Sequence, residues 1–239
     1  MRVWTLSFIL QGGNQMTKIL DLQSAVKKIN DGDVILAGGF LSVGTPEDLV
    51  DELVRQGQKN LSIICNDGGS NTGKGVGKLV SSFQVKKFIC SWFGYTPLIG
   101  ELFNKGELDL ELNPQGTLAE RIRSGGYGLG GVLTPTGIDT MIEEKWGERV
   151  TLNGRDWLYH TPLRGNVAIV EAYRADESGN LIFRRAQRNF CPVICFAADL
   201  VIASVVNPIE PVGSLEPDEI IVPGVVVDIL VPQKGVLQG

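Results

Sequence analysis

The stretch from Asp31 to Pro46, DGDVILAGGFLSVGTP, restricts the fold more than any other part of the chain. Val34–Ala37 is an apolar run long enough for a buried strand, and Gly38-Gly39-Phe40 and Gly44 turn the chain sharply after it. Thr45 then suits a helix N-cap, with Pro46 at N1 and Asp48 at N3. Leu49, Val50, Leu53 and Val54 supply one apolar stripe, and Gly57 ends the helix. Strand, glycine turn and helix N-terminus in this order aim backbone N–H groups into a cleft at the strand's carboxyl end. Open α/β sheets hold their ligands there.

The rest of the chain keeps the same rhythm. Ile19, Leu22, Val26 and Ile29 fall at helical spacing within Thr17–Asn30. Leu61–Asn66, Val85–Cys90 and Leu108–Leu112 read as strands, and Pro97–Lys105 as a helix. Strands separated by helices predict an α/β fold, an open, mostly parallel sheet with crossover helices. Further on, Thr151–Trp157 predicts a hairpin about Asn153-Gly154. Val167–Ala172 predicts a strand, with Leu181–Arg185 as its neighbour across the polar turn Glu177–Asn180. Asn189–Val206 reads as a buried helix running into a strand, and Ile220–Pro223 and Val225–Val231 as late strands. At 239 residues, 43% of them apolar, the chain can bury a sizeable core, and no repeat divides it. Met16 opens the domain, expected over residues 16–233. The apolar run Val3–Leu10 is too short to span a membrane and lacks a small-residue cleavage site, so residues 1–15 are expected to be an N-terminal extension outside the fold.

Glycine is abundant, 30 of 239 residues, and two runs imitate nucleotide motifs without their context. Gly68–Gly75, GGSNTGKG, follows a strand, but Gly75 stands where a phosphate loop needs a magnesium-binding hydroxyl. Gly126, Gly128 and Gly131 have dinucleotide spacing, yet a helix precedes them and Val132-Leu133-Thr134-Pro135 follows. Glu47, Asp48, Asp51 and Glu52 crowd the first two turns after Pro46, where they suit the helix dipole and repel a standing phosphate. No nucleotide site is expected at any of the three places.

A net charge of −5 leaves no electrostatic footprint for nucleic acid. Cys65, Cys90, Cys191 and Cys195 have no CxxC spacing and read as core thiols in a reducing cytoplasm. The single histidine, His160, reads as surface or structural, and one histidine excludes a multi-histidine metal site or a histidine triad. Arg184, Arg185 and Arg188 form a local basic patch, either solvated or in contact with a partner or an anionic ligand.

A second block, Asn113–Gly137, reads NPQGTLAERIRSGGYGLGGVLTPTG, with Thr117 and Glu120 as a capping-box pair for a short helix ending near Ser124. Together with the Asp-Gly, apolar strand, Gly-Gly-Phe and Gly-x-Pro order of Asp31–Pro46, this block resembles family I coenzyme A transferases. The resemblance covers about Met16 to Val231 and is to the alpha subunit of the acetate, acetoacetate or butyrate (3-oxoacid) type. It implies an enzyme that moves coenzyme A from a short-chain acyl-CoA to a carboxylic acid, with CoA as substrate and no permanently bound cofactor. It also implies a beta-subunit partner, in a heterodimer or heterotetramer, which carries the nucleophilic glutamate in a Ser-Glu-Asn-Gly-type motif. This chain has no such motif. By the same resemblance Gly38, Gly39, Phe40, Leu41, Ser42, Val43 and Gly44 would line the thioester, and Gly39 and Gln115 would contact its oxyanion. Asn66-Asp67-Gly68 and Ser91-Trp92-Phe93-Gly94 depart from the family pattern, so Trp92 and Phe93 are expected to reshape the acyl pocket. Two other readings stand beside this one, a sugar-phosphate isomerase-like enzyme on the related fold and a non-catalytic acyl-CoA-binding regulatory domain.

Overall fold

The computed structural model describes residues 17–233; the expected extension at residues 1–15 lies outside them. The first half alternates strands and helices: β1 (Lys18–Ile19), α1 (Leu22–Val26), β2 (Val34–Ala37), α2 (Glu47–Gln56), β3 (Leu61–Ile64), α3 (Gly77–Ser81), β4 (Val85–Cys90), α4 (Pro97–Asn104), β5 (Asp109–Leu112) and α5 (Gln115–Gly126). A small antiparallel unit follows, with β6 (Val132–Thr134), α6 (Met141–Trp146), β7 (Glu148–Leu152) and β8 (Arg155–His160). The chain then returns to the main sheet through β9 (Gly165–Ala172), β10 (Arg174–Ala175), β11 (Leu181–Ile182), α7 (Cys191–Cys195), β12 (Ala198–Val205) and β13 (Ile229–Pro232).

Eight strands pair in parallel in the order β1-β13-β12-β9-β2-β3-β4-β5. Successive side chains on a strand face opposite ways, and here both faces are buried. Ile35 and Ala37 of β2 join one core with Leu49 and Leu53 of α2, Leu79 of α3 and Ile99 of α4. Leu36, between them, joins the other core with Leu118 and Ile122 of α5 and Ile194 of α7. The sheet is therefore covered on each side by its own crossover helices.

The strand order reverses between β2 and β9. From β2 the chain moves one way to β5, and from β9 the other way to β13. The connection after β2 leads into the α2 core, whereas the one after β9 leads to α7 in the opposite core. Divergent connections open a crevice at the carboxyl ends of these two strands.

Several local expectations shift. The helix over Thr17–Asn30 shortens to α1, because Lys18 and Ile19 pair with Ile229 and Leu230 of β13. The strand over Leu181–Arg185 shrinks to β11, with Arg185 in a 3-10 turn. Of the two late strands only β13 forms; Ile220–Pro223 contributes one isolated bridge, from Val222 to Leu181, and Gly224–Val226 is a 3-10 turn. The hairpin at Asn153-Gly154 forms between β7 and β8, both turn residues being left-handed with φ of 52° and 73°. The expected capping box does not form: α5 begins at Gln115 after Pro114, so Thr117 sits buried in the first turn and Glu120 pairs with Arg123. At its far end α5 meets other backbone. A Cβ on Gly125 would stand 2.0 Å from the Leu163 carbonyl oxygen, and one on Gly126 3.0 Å from Phe196.

Candidate active site

At the carboxyl end of β2 the chain turns at once. The Gly38 amide donates to Ile169 O of β9 at 2.9 Å, so the loop leaves from the crevice between the two strands. Phe40 and Val43 exchange both backbone hydrogen bonds, at 3.1 and 3.0 Å, around Leu41 and Ser42. Those two residues have φ of 46° and 68°. A doubly hydrogen-bonded turn with two left-handed residues is the I′ type, which favours Asn and Gly. Built from Leu and Ser, it carries strain on the order of 1–3 kcal/mol per residue.

The surroundings hold this turn in place. Asp67 Oδ2 accepts from the Leu41 amide at 3.0 Å, Asn189 Nδ2 donates to Val43 O at 2.8 Å, and Cys191 Sγ donates to Gly44 O at 3.2 Å. Thr45 is not the helix cap. Pro46 takes that position without a side-chain cap, α2 starts at Glu47, and the Thr45 side chain packs against Gly39. Within the loop, the Gly38, Phe40, Leu41 and Val43 amides already donate to protein acceptors. Among the described residues, the amides of Ser42 and Gly44 have no such acceptor. Of the loop's amides, those of Gly39, Ser42 and Gly44 then remain as candidates for a ligand.

The next three strands end side by side. After β3, Asn66 and Asp67 are buried; after β4 come Ser91 and Trp92; after β5 comes Gln115, the first residue of α5. Gln115 is exposed, yet its Nε2 reaches back over the end of β4 to donate to Asn66 Oδ1 at 2.9 Å. Ser91 Oγ donates to the same oxygen at 2.9 Å. Asn66 Nδ2 donates in turn to Asp67 Oδ2 at 2.7 Å, the oxygen that holds Leu41. One chain of hydrogen bonds thus joins the glycine turn to Gln115.

The acidic first turns of α2 are neutralised within the fold. Lys78 Nζ lies 2.6 Å from both Glu47 and Asp51, Glu52 binds Arg55 at 2.6 Å, and Ser204 Oγ donates to Asp48 at 2.7 Å. Burial raises the Asp48 carboxyl despite its hydrogen bonds. Burial likewise pushes the Cys191 thiol up to about 12, so it is a neutral wall of the loop and no nucleophile at neutral pH. In the loop Gly68–Gly75, the Gly69 amide donates to Asp67 Oδ1 and the Ser70 amide to Lys74 O. Those donors serve the loop's own structure, in keeping with the missing hydroxyl at Gly75.

Two placements were hidden in the sequence. The basic turn of Arg184, Arg185 and Arg188 lies against the glycine loop, since a Cβ on Gly44 would be 3.3 Å from Gln187 Cα. In it, Arg184 stacks over Tyr173 at 5.1 Å and Arg188 donates to Phe183 O at 3.1 Å. The second is a buried ion pair beneath Gln115. Arg121 on α5 bonds Glu111 of β5, Asn113 Oδ1 at 2.5 Å and Thr161 O at 2.8 Å. Burial pushes the Glu111 carboxyl up, but the Arg121 bond and charge outweigh it and hold it below the usual range. Arg121 shares a helix face with Leu118 and Ile122, a spacing that could have marked it as inward-facing.

Residues 19–233 match the family model described as Coenzyme A transferase. The chain belongs to the coenzyme A transferase family. It is 43% identical to the acetate CoA-transferase subunit alpha of Escherichia coli K12, over 91% of this chain and 98% of that one. It is 42% identical to the acetoacetyl-CoA:acetate/butyrate CoA transferase alpha subunit of Clostridium acetobutylicum, over the same shares. Among solved structures it superposes on an acyl-CoA transferase of E. coli O157:H7, in thioester complex with CoA, with a TM-score of 0.85 and 23% identity. That match covers 92% of this chain and 50% of the other, so the chain spans about half the length of that enzyme.

In this coenzyme A transferase chain the two blocks that carried the resemblance, Asp31–Pro46 and Asn113–Gly137, are linked through Asp67, which holds Leu41, and Asn66, which holds Gln115. The two aromatic departures separate. Phe93 turns inward against Gly100 of α4 and the first core, whereas Trp92 is 43% exposed and packs edge-to-face on Tyr95 at 4.9 Å. Only Trp92 of the pair is exposed. His160 is buried, so the surface placement does not hold; burial and the nearby Arg121 charge both lower its pKa.

Proposed function

We propose that this chain is the alpha subunit of a two-chain coenzyme A transferase that supplies the oxyanion side of an active site completed by a beta subunit. Its substrates are a short-chain acyl-CoA and a carboxylic acid of the acetate, acetoacetate or butyrate type, as in the names of its relatives. The observation that carries the reading is the hydrogen-bonded line from the strained Leu41-Ser42 turn, at the crevice between β2 and β9, through Asp67 and Asn66 after β3 to Gln115 after β5.

The chemistry follows from what these groups can donate. A partner glutamate carboxylate attacks the thioester carbonyl carbon, and the carbonyl oxygen takes up negative charge. Collapse breaks the C–S bond and releases the CoA thiolate, leaving an acyl-glutamyl anhydride. The thiolate then attacks the glutamyl carbonyl, releasing the first carboxylate and leaving a glutamyl-CoA thioester; the acceptor acid reverses these steps. The second Nε2 hydrogen of Gln115 and the Ser42 amide are the donors placed to meet the developing charge, neither changing its protonation state. Four buried free cysteines suit a reducing compartment, and we place the enzyme in the cytoplasm. Among the described residues no helix is long and apolar enough to cross a membrane.

Borohydride reduction tests where the covalent intermediate forms. The isolated chain should be inert; mixed with its beta subunit and acyl-CoA, it should transfer CoA. After reduction, mass spectrometry should find the altered glutamate on the beta subunit and this chain at its native mass. A modified glutamate in this chain, or turnover by the chain alone, would overturn the reading.

A further inference from the structure

We infer that Asn66 is a positioning residue that sets which atoms of Gln115 face the substrate, and that Asp67 ties the glycine turn to the same reference point. The inference deepens the proposed function and rests on the reading that Gln115 acts during acyl transfer.

A side-chain amide has two ends, and nothing in Gln115 itself decides which one points into the cleft. Asn66 decides it. Its Oδ1 accepts from Gln115 Nε2 and from Ser91 Oγ, each at 2.9 Å, and its Nδ2 donates to Asp67 at 2.7 Å. Turning the Asn66 amide over would set its Nδ2 against the Gln115 Nε2 donor and its oxygen against the Asp67 carboxylate, so its orientation is fixed from two sides. Asn66 is buried, and the Ser91 hydroxyl shares its one proton between the Asn66 backbone carbonyl at 2.8 Å and Oδ1 at 2.9 Å. Gln115, by contrast, is exposed, and Asn66 is the side chain that orders it. One Nε2 hydrogen is spent on Asn66, and the other is left for a ligand.

Asp67 extends the same logic to the turn. Its Oδ2 takes the Asn66 amide and the Leu41 backbone N–H, and its Oδ1 takes the Gly69 amide at 2.8 Å. The two adjoining residues at the end of β3 therefore hold both donor elements, one after β2 and the other after β5, in one register. A displacement of about 1 Å in such a pair is enough to cost two orders of magnitude in rate.

The test is a double-mutant cycle in the assembled two-chain enzyme. Asn66→Ala should lower kcat roughly ten- to hundredfold while acyl-CoA KM stays within about threefold. Added to Gln115→Ala, the same substitution should lower kcat no further, because the side chain it orients is gone. Ser91→Ala, which removes one hydroxyl without hollowing the site, should lower kcat about two- to fivefold in the parent and leave the Gln115→Ala enzyme unchanged. The Ser91 arm stands alone if Asn66→Ala fails to assemble. Losses that multiply in the double variants, with Gln115→Ala itself impaired, would overturn the positioning role and leave the function reading intact. Full kcat in Gln115→Ala would remove Gln115 from the chemistry, and the positioning role with it.

Discussion

Gly39 and Thr45 lie so close that a Cβ on Gly39 would stand 2.1 Å from Thr45 Oγ1 and 3.2 Å from the Thr45 amide nitrogen. Gly39 also has φ of 125°, a conformation closed to β-branched residues. Gly39→Val should therefore push the Leu41-Ser42 turn out of place. In the assembled enzyme kcat should fall by at least about a hundredfold. Size-exclusion chromatography should still show the two-chain assembly; full activity there would take the loop out of the site.

Gln115→Ala removes an exposed side chain, so it should leave folding unchanged. If its amide meets charge that develops on the thioester oxygen, kcat should drop roughly ten- to a thousandfold, with a smaller change in acyl-CoA affinity. Steady-state kinetics at saturating acid acceptor separates the two, and an unaltered kcat would return Gln115 to the solvent surface.

Much of the frame was legible because its signals are local. The apolar runs of β2, β3 and β9 and the alternation in β5 lie between turn residues, and the order of strands and helices gave the parallel sheet. What failed was set by distant partners. Lys18 and Ile19 sit in a helical pattern, yet pair with Ile229 and Leu230 at the other end of the chain. Thr117 and Glu120 have capping-box spacing, but Pro114 starts the helix earlier and buries Thr117. Within the site, the glycine turn and Gln115 were visible as motifs. The Asn66–Gln115 contact was not, because it joins residues 49 positions apart through amides that no pattern pairs.

The Arg121–Glu111 pair predicts a stability effect distinct from catalysis. Arg121→Met would leave a mostly buried carboxylate with Lys87 as its remaining cation, at 3.5 Å. Breaking one partner of a buried pair costs about 3–5 kcal/mol. Chemical denaturation of the purified subunit should show a loss of this order; a change under about 1 kcal/mol would mean that water reaches Glu111 freely.

His160 predicts a response to acid. Its pKa is lowered from 6.5, so the unfolded chain binds a proton before the folded one does. Stability tied to this group is present above pH 6.5 and is lost as pH falls below it. Glu111, lowered from 4.5, adds a second loss at more acidic pH. Thermal unfolding from about pH 7 to pH 5 should show a falling midpoint that His160→Gln flattens. A variant with the same slope as the parent would assign the acid sensitivity elsewhere.

The last turn of α5 has a genetic consequence. Gly125 touches the Leu163 carbonyl so closely that any Cβ would overlap it, at 2.0 Å. Glycine codons change by a single base only to other glycine codons, to stop, or to residues that carry a Cβ. Every missense neighbour of this codon therefore pushes the helix that bears Gln115 away from the chain returning to β9. Sequence drift at this locus is confined to silent changes unless Leu163 moves first, and a saturation library scored for folded protein should be blank there except for glycine.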